Sequence, residues 1–321
     1  MKRAFRYNMI LFVFLSIVLM SQCNKDSLKN DPNVIKKVND TSRITKKKKN
    51  KLRRMQYDES EFTPLKMHID LYNFNLTFPN DTLGEQNKDI IVKAIFKAVN
   101  IIEDLFEINL GMAEDIYFSD NFLTGLDSNI LYWDKEKLEQ RIGESTKFSL
   151  EINNYFVFFY FLSSIKNVAS SKILHYLDSP LIGVIIFNEH IEQSKLNLDY
   201  LTTLMLHEFI HLLGFHIETD TFESIIEEEE EANADEDAEP IIHYYLKESQ
   251  CENVFNYARK YFNCDNITKI ELTLDEDGNI HWPSRLLLGE LMTEFTYPEE
   301  QVLSGFTLSF LKDLGYIKVL K

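Results

Sequence analysis

A mixed α+β fold is predicted by three features of this 321-residue chain. Leu65, Met67, Ile69 and Leu71 alternate with Lys66, His68 and Asp70, the period of a half-buried strand. Residues 155–162 and 180–187 are aromatic or β-branched runs that read as buried strands. Residues 88–108 and 199–213 instead follow helical spacing. In 88–108 the apolar positions are Ile91, Ile95, Ala98, Ile102, Leu105 and Phe106, with Lys93, Lys97, Glu103 and Asp104 facing outward. The stretch 110–150 supports only short elements.

Charge is unevenly spread. Residues 1–56 hold 15 basic and 3 acidic side chains, a net of +12, against −29 for the remainder and −17 overall. A body this acidic argues against nucleic-acid binding. Three cysteines, Cys23, Cys251 and Cys264, are too few for a disulfide framework. Cys251 and Cys264 can pair only if the chain turns between them, since an unbroken helix would hold them about 19 Å apart.

The first 22 residues read as a secretory signal. Lys2, Arg3 and Arg6 precede an apolar run over 9–20, too short for a membrane span of about 20 residues. Residues 23–56 are polar and basic, a pro-segment or a disordered linker. The opposite charges of this segment and the body suggest that the segment lies on the body and keeps it latent. An N-terminal unit is expected over 57–216, an insertion over 217–280 and a closing part over 281–321. The insertion holds ten acidic residues in the seventeen of 223–239, a block expected to be solvated and mobile. Residues 241–262 look helical, and 275–278 read as a turn. Asn39, Asn75, Asn80 and Asn266 open N-x-S/T triplets, which suit an exported chain.

The chemistry is concentrated in the second helical stretch. His207-Glu208-Phe209-Ile210-His211 is an H-E-x-x-H pattern. Residues four apart share a helix face, so His207 and His211 can reach one ion. Glu208, one residue on, can reach the water on such an ion and act as general base. No proline interrupts the stretch, Asn197 or Asp199 can cap its start, and Gly214 can end it. Its apolar residues cover nearly every face, which implies burial.

A catalytic zinc takes three protein ligands and leaves one position open. His216 lies one place short of the compact H-E-x-x-H-x-x-G-x-x-H spacing, which has Ile217 at the required position. An acid from 223 onward would make a gluzincin-type site. His281 is the better candidate, because it opens 281–293, where the polar excursion returns to apolar sequence. His216, His243 and the acids stay open as alternatives.

Several blocks in matching order resemble the leishmanolysin family of zinc proteases. They are 180–188, 207–215, 251–264, His281-Trp282, 285–287, Glu290-Leu291-Met292-Thr293, 302–304 and 311–316, with 63–69 resembling the family's first strand. The resemblance implies a metzincin-like fold: a mixed twisted sheet over the active-site helix and a mainly helical C-terminal subdomain. It implies zinc on His207, His211 and His281, Glu208 as general base, and Met292 as the Met-turn residue. It implies a zinc endopeptidase acting on proteins or peptides, secreted or held at the cell surface or membrane. A catalytically silent adhesion protein on the same fold is the reading from another class. The family's cysteine-rich C-terminal domain has no counterpart before Lys321, and residues 24–56 carry no cysteine to block a metal.

Overall fold

The computed structural model describes residues 62–109, 116–117, 147–148, 154–162, 165, 167–176, 180–216, 225–231, 241–275, 279–294 and 301–320. The expected leader over 1–22, the basic segment 23–56, most of 110–150, the acids over 232–240 and most of the expected turn over 275–278 lie outside them.

The chain begins with β1 (Thr63–Pro64), β2 (Lys66–Asp70), α1 (Tyr72–Thr77), α2 (Asn80–Leu83) and the long α3 (Glu85–Leu105). Helical spacing over 88–108 is realised, with Ile91, Ile95, Ala98 and Ile102 fully buried. The helix ends earlier than its apolar pattern because Phe106 opens β3 (Phe106–Ile108), which pairs with β1. β4 (Ile116–Tyr117) and β5 (Lys147–Phe148) form a short ladder.

The main sheet contains β2, β6 (Asn154–Leu162), β7 (Ala169–Tyr176) and β8 (Pro180–Asn188), in the order β2-β6-β8-β7. β2, β6 and β8 are parallel, whereas β7 is antiparallel to β8, so the sheet is mixed. Strands covered on both faces need continuous apolar runs, which explains the runs at 155–162 and 180–187. Against this sheet packs α4 (Leu198–Leu212), which carries the H-E-x-x-H residues. Phe159 of β6 meets Phe209 of α4 edge to face at 6.3 Å. At Gly183 in β8 a Cβ would come within 2.6 Å of the Leu212 side chain, so the bare backbone lets helix and sheet approach closely.

Beyond α4 the sequence expectations need correction. The acidic run contributes a strand, β9 (Ile226–Glu231), paired antiparallel with β10 (Ile241–Leu246). Ile226 stands opposite Leu246, both buried, and these two anchor the pair. The glutamates that follow occupy the outer strand of the four-stranded order β12-β11-β10-β9, where charge discourages further pairing. The helix expected over 241–262 is two elements: β10, then α5 (Glu252–Phe262). The apolar residues of 241–246 serve a period of two, not 3.6. With β11 (Glu271–Leu274) and β12 (Ile280–His281), this half is mixed rather than mainly helical.

The chain closes with α6 (Gly305–Leu314) and β13 (Ile317–Val319), the latter pairing with β3. Asp313 of α6 accepts hydrogen bonds from the Asn253 and Val254 amides, both at 3.0 Å, so its carboxylate caps the start of α5. α5 runs unbroken between Cys251 and Cys264, which keeps those two residues beyond disulfide reach. No described helix is long and apolar enough to cross a membrane.

Candidate metal centre

The site is built on a helix whose two ends are both fixed. At its start the Asn197 side chain accepts from the Tyr200 amide at 2.9 Å, which selects Asn197 over Asp199 as the cap. At its end Gly214 takes φ +112°, its amide bonds to His211 O, and the Phe215 amide reaches back to Ile210 O. This pair of bonds is a Schellman stop. Two phenols satisfy carbonyls left over at that end: Tyr155 donates to Leu212 O at 2.8 Å and Tyr316 to Leu213 O at 2.9 Å.

His207, Glu208 and His211 are all buried on this helix, and His281 is buried on β12. Their separation in sequence is large, yet the three imidazoles converge. Nε2 of His211 lies 3.0 Å from Nε2 of His207 and 3.1 Å from that of His281, and the third edge is 3.3 Å. A tetrahedral shell with bonds of about 2.0–2.1 Å would separate its ligand atoms by about 3.3 Å.

The hydrogen bonds on the far side of two rings decide what those Nε2 atoms are. His207 Nδ1 donates to Leu291 O at 2.7 Å, and His211 Nδ1 donates to Phe215 O at 2.6 Å. A carbonyl only accepts, so both Nδ1 atoms carry the proton. In a neutral ring Nε2 is then a bare lone pair. Burial lowers the His207 pKa to about 4, against the Leu291 hydrogen bond that raises it. Burial holds His211 well below the usual range, with His207 and His281 adding to the effect. Burial, then His207, does the same for His281. The neutral rings of His207 and His211 therefore point lone pairs at each other across 3.0 Å, an arrangement that repels unless a cation sits between them. The donor set fits a metal ion, with each far-side carbonyl fixing tautomer and ring orientation.

His281 reaches the centre through the β11–β12 pairing, where it stands opposite Thr273. Its neighbour Trp282 donates its amide to Met292 O at 2.8 Å, which ties the strand to 290–293. Met292 is fully buried in that segment, and the adjacent Leu291 carbonyl is the one that holds His207. The segment expected to form the Met-turn thus braces two of the three histidines.

Of the other candidates for third ligand, the acids at 223 and over 235–239 lie outside the described residues, and the two histidines go elsewhere. His216 donates through Nδ1 to Asn279 at 2.8 Å, joining the exit of α4 to the approach of β12. His243 lies on β10 beside Tyr245. Among the described residues the metal-ligand cluster is His207, His211 and His281, with no carboxylate in it. Sequence reasoning missed the Leu291 and Phe215 carbonyls, since backbone acceptors carry no side-chain signature. It also passed over Glu290, although an acid within the apolar return of 286–292 was a visible signal.

No curated protein matches the chain. A comparison with known families matches residues 162–320 to leishmanolysin. The matched span holds all three histidines, the glutamate beside the first and the buried methionine. With that match over residues 162–320 and this convergence of imidazoles, the protein is a metalloprotease of leishmanolysin type across that span.

Proposed function

We propose that the protein is a zinc-dependent endopeptidase, with His207, His211 and His281 as metal ligands and Glu208 as general base. The convergence of three Nε2 atoms within 3.0–3.3 Å carries the reading. Three imidazole nitrogens with a fourth position left to solvent are a catalytic zinc donor set. When bound, zinc supplies Lewis acidity that activates water near neutral pH and polarises a peptide carbonyl. Leu291 O and Phe215 O keep the ligand rings in the neutral tautomer through turnover. Glu208 follows His207 on the same rigid helix, so it stays in register with the ligands. Its carboxylate takes a proton from the attacking water and returns it to the leaving amine. Met292 acts as the buried floor of the 290–293 segment, not as a ligand. The charged start and apolar run of residues 1–20 support export through the secretory pathway, toward the cell exterior or its surface.

Glu208→Gln keeps the size of the side chain and removes its basicity. The variant should bind zinc as the wild type does and lose cleavage of an internally quenched, end-blocked peptide by at least about 100-fold. Undiminished turnover in that variant would remove Glu208 from the role. Cleavage that persists undiminished under chelator would remove zinc from the mechanism, whereas metal-loaded wild-type protein that cleaves no peptide would leave the silent adhesion reading.

A further inference from the structure

We propose that Glu290 is a positioning residue for the metal centre, a buried carboxylate that locks two ligand-bearing segments in place. The residue is 5% exposed. One oxygen accepts from the Met292 amide. The other accepts from the Ser304 amide at 3.2 Å, the Ser304 hydroxyl at 3.0 Å and the Thr307 hydroxyl at 2.6 Å. Ser304 and Thr307 belong to the cap and first turn of α6. Glu290 therefore ties the 290–293 segment to the start of a helix far from the histidines in sequence.

Two routes lead from this carboxylate to the ligands. In the first, the Met292 amide it holds follows directly after Leu291, whose carbonyl receives the His207 Nδ1 proton at 2.7 Å. In the second, the Thr307 hydroxyl donates to Glu290 and so accepts from the indole of Trp282 at 2.8 Å. A hydroxyl has one proton, so its direction is set by the carboxylate. Trp282 follows His281, and its backbone amide returns to Met292 O. A single anion thus orders the acceptor for one ligand and the indole beside another. A plain structural brace would need neither connection, since Ser304 alone caps α6 through the Phe306 amide.

The inference rests on the zinc reading, and the test separates the two. Zinc affinity is measured by chelator competition, and the cobalt(II)-substituted protein is followed by its visible d–d spectrum. Wild-type protein that binds neither metal would overturn the zinc reading itself. If wild type binds, Glu290→Gln should weaken zinc by about 10- to 100-fold and shift the cobalt bands, as changes to a ligand's supporting hydrogen bonds do. Circular dichroism of the apoprotein should remain that of the wild type. Thr307→Val removes only the Trp282 relay and should give a smaller loss of zinc affinity, with a band shift of its own. It serves alone if Glu290→Gln does not fold. Folded variants with wild-type zinc affinity and an unchanged cobalt spectrum overturn the positioning role.

Discussion

The histidine at 281 and the histidine at 216 make the sharpest contrast between neighbouring readings of one residue type. His281 is buried and His216 half-buried, and burial lowers the pKa of each. Only one has Nε2 within 3.3 Å of the other ligands. His281→Ala should reduce zinc affinity by more than the 10- to 100-fold typical of a supporting residue. His216→Ala should leave zinc affinity unchanged and cost about 1 kcal/mol of stability, through the lost bond to Asn279. Chelator competition and thermal denaturation of the two variants check both statements. Retained zinc in His281→Ala would send the third coordination position to another side chain. The proximity of His216 to His211 in the sequence made it tempting. Its ring is instead held by Asn279, a contact across 63 residues that sequence spacing does not encode.

At the scale of the element, α4 depends on how its C-terminal end is closed. Gly214 lies in backbone space where a side chain is strained, and a Cβ there would collide with the Tyr316 hydroxyl and reach Leu314. Gly214→Ala should lower stability by about 1–3 kcal/mol from the backbone strain alone. It should also weaken zinc binding, because Phe215 O, the acceptor for His211, sits one residue beyond. Denaturation midpoints with and without zinc measure the two effects separately. The helix itself was legible from its cap, its stop and its apolar faces. The strand at 226–231 was not, because a run of glutamates resembles a solvated tail. One buried isoleucine facing Leu246 and the pairing with β10 are what hold it. The same partner explains 241–246, whose short apolar alternation is ambiguous until a neighbouring strand supplies the period.

Across the whole molecule, the centre joins segments that no local interaction brings together: α4 under the main sheet, β12 from the second sheet and 290–293 braced on α6. Metal should therefore stabilise the global fold. At a thousandfold excess over its dissociation constant, zinc adds about 4 kcal/mol, which raises the melting temperature of a body this size by about 8–16 °C. Calorimetry with and without chelator checks this. The apoprotein carries its own pH dependence. His207 has a folded pKa of about 4, below the ordinary 6.5, so the unfolded chain binds more protons between these values. Stability is fully present above about pH 6.5 and falls as the pH drops toward 4. His211 and His281, shifted in the same direction, add to the slope. A flat or rising apoprotein melting temperature over that descent would contradict the neutral-imidazole assignment.

Residues close in sequence were determined by the sequence itself. His207, Glu208 and His211 share a face because helix geometry fixes the direction of side chains four apart, and cap and stop residues mark where that geometry applies. The alternation at 65–71 and the apolar runs of β6 and β8 encode their burial in the same local way. The third imidazole is a different matter. Seventy residues separate His281 from His211, and the pairing of β11 with β12 and the folding of 290–293 against Trp282 place it. Those contacts are long-range, and their energy exists only once the sheets have formed. The pattern of side chains along the chain could nominate His281, but only the assembled fold could bring its nitrogen to the other two.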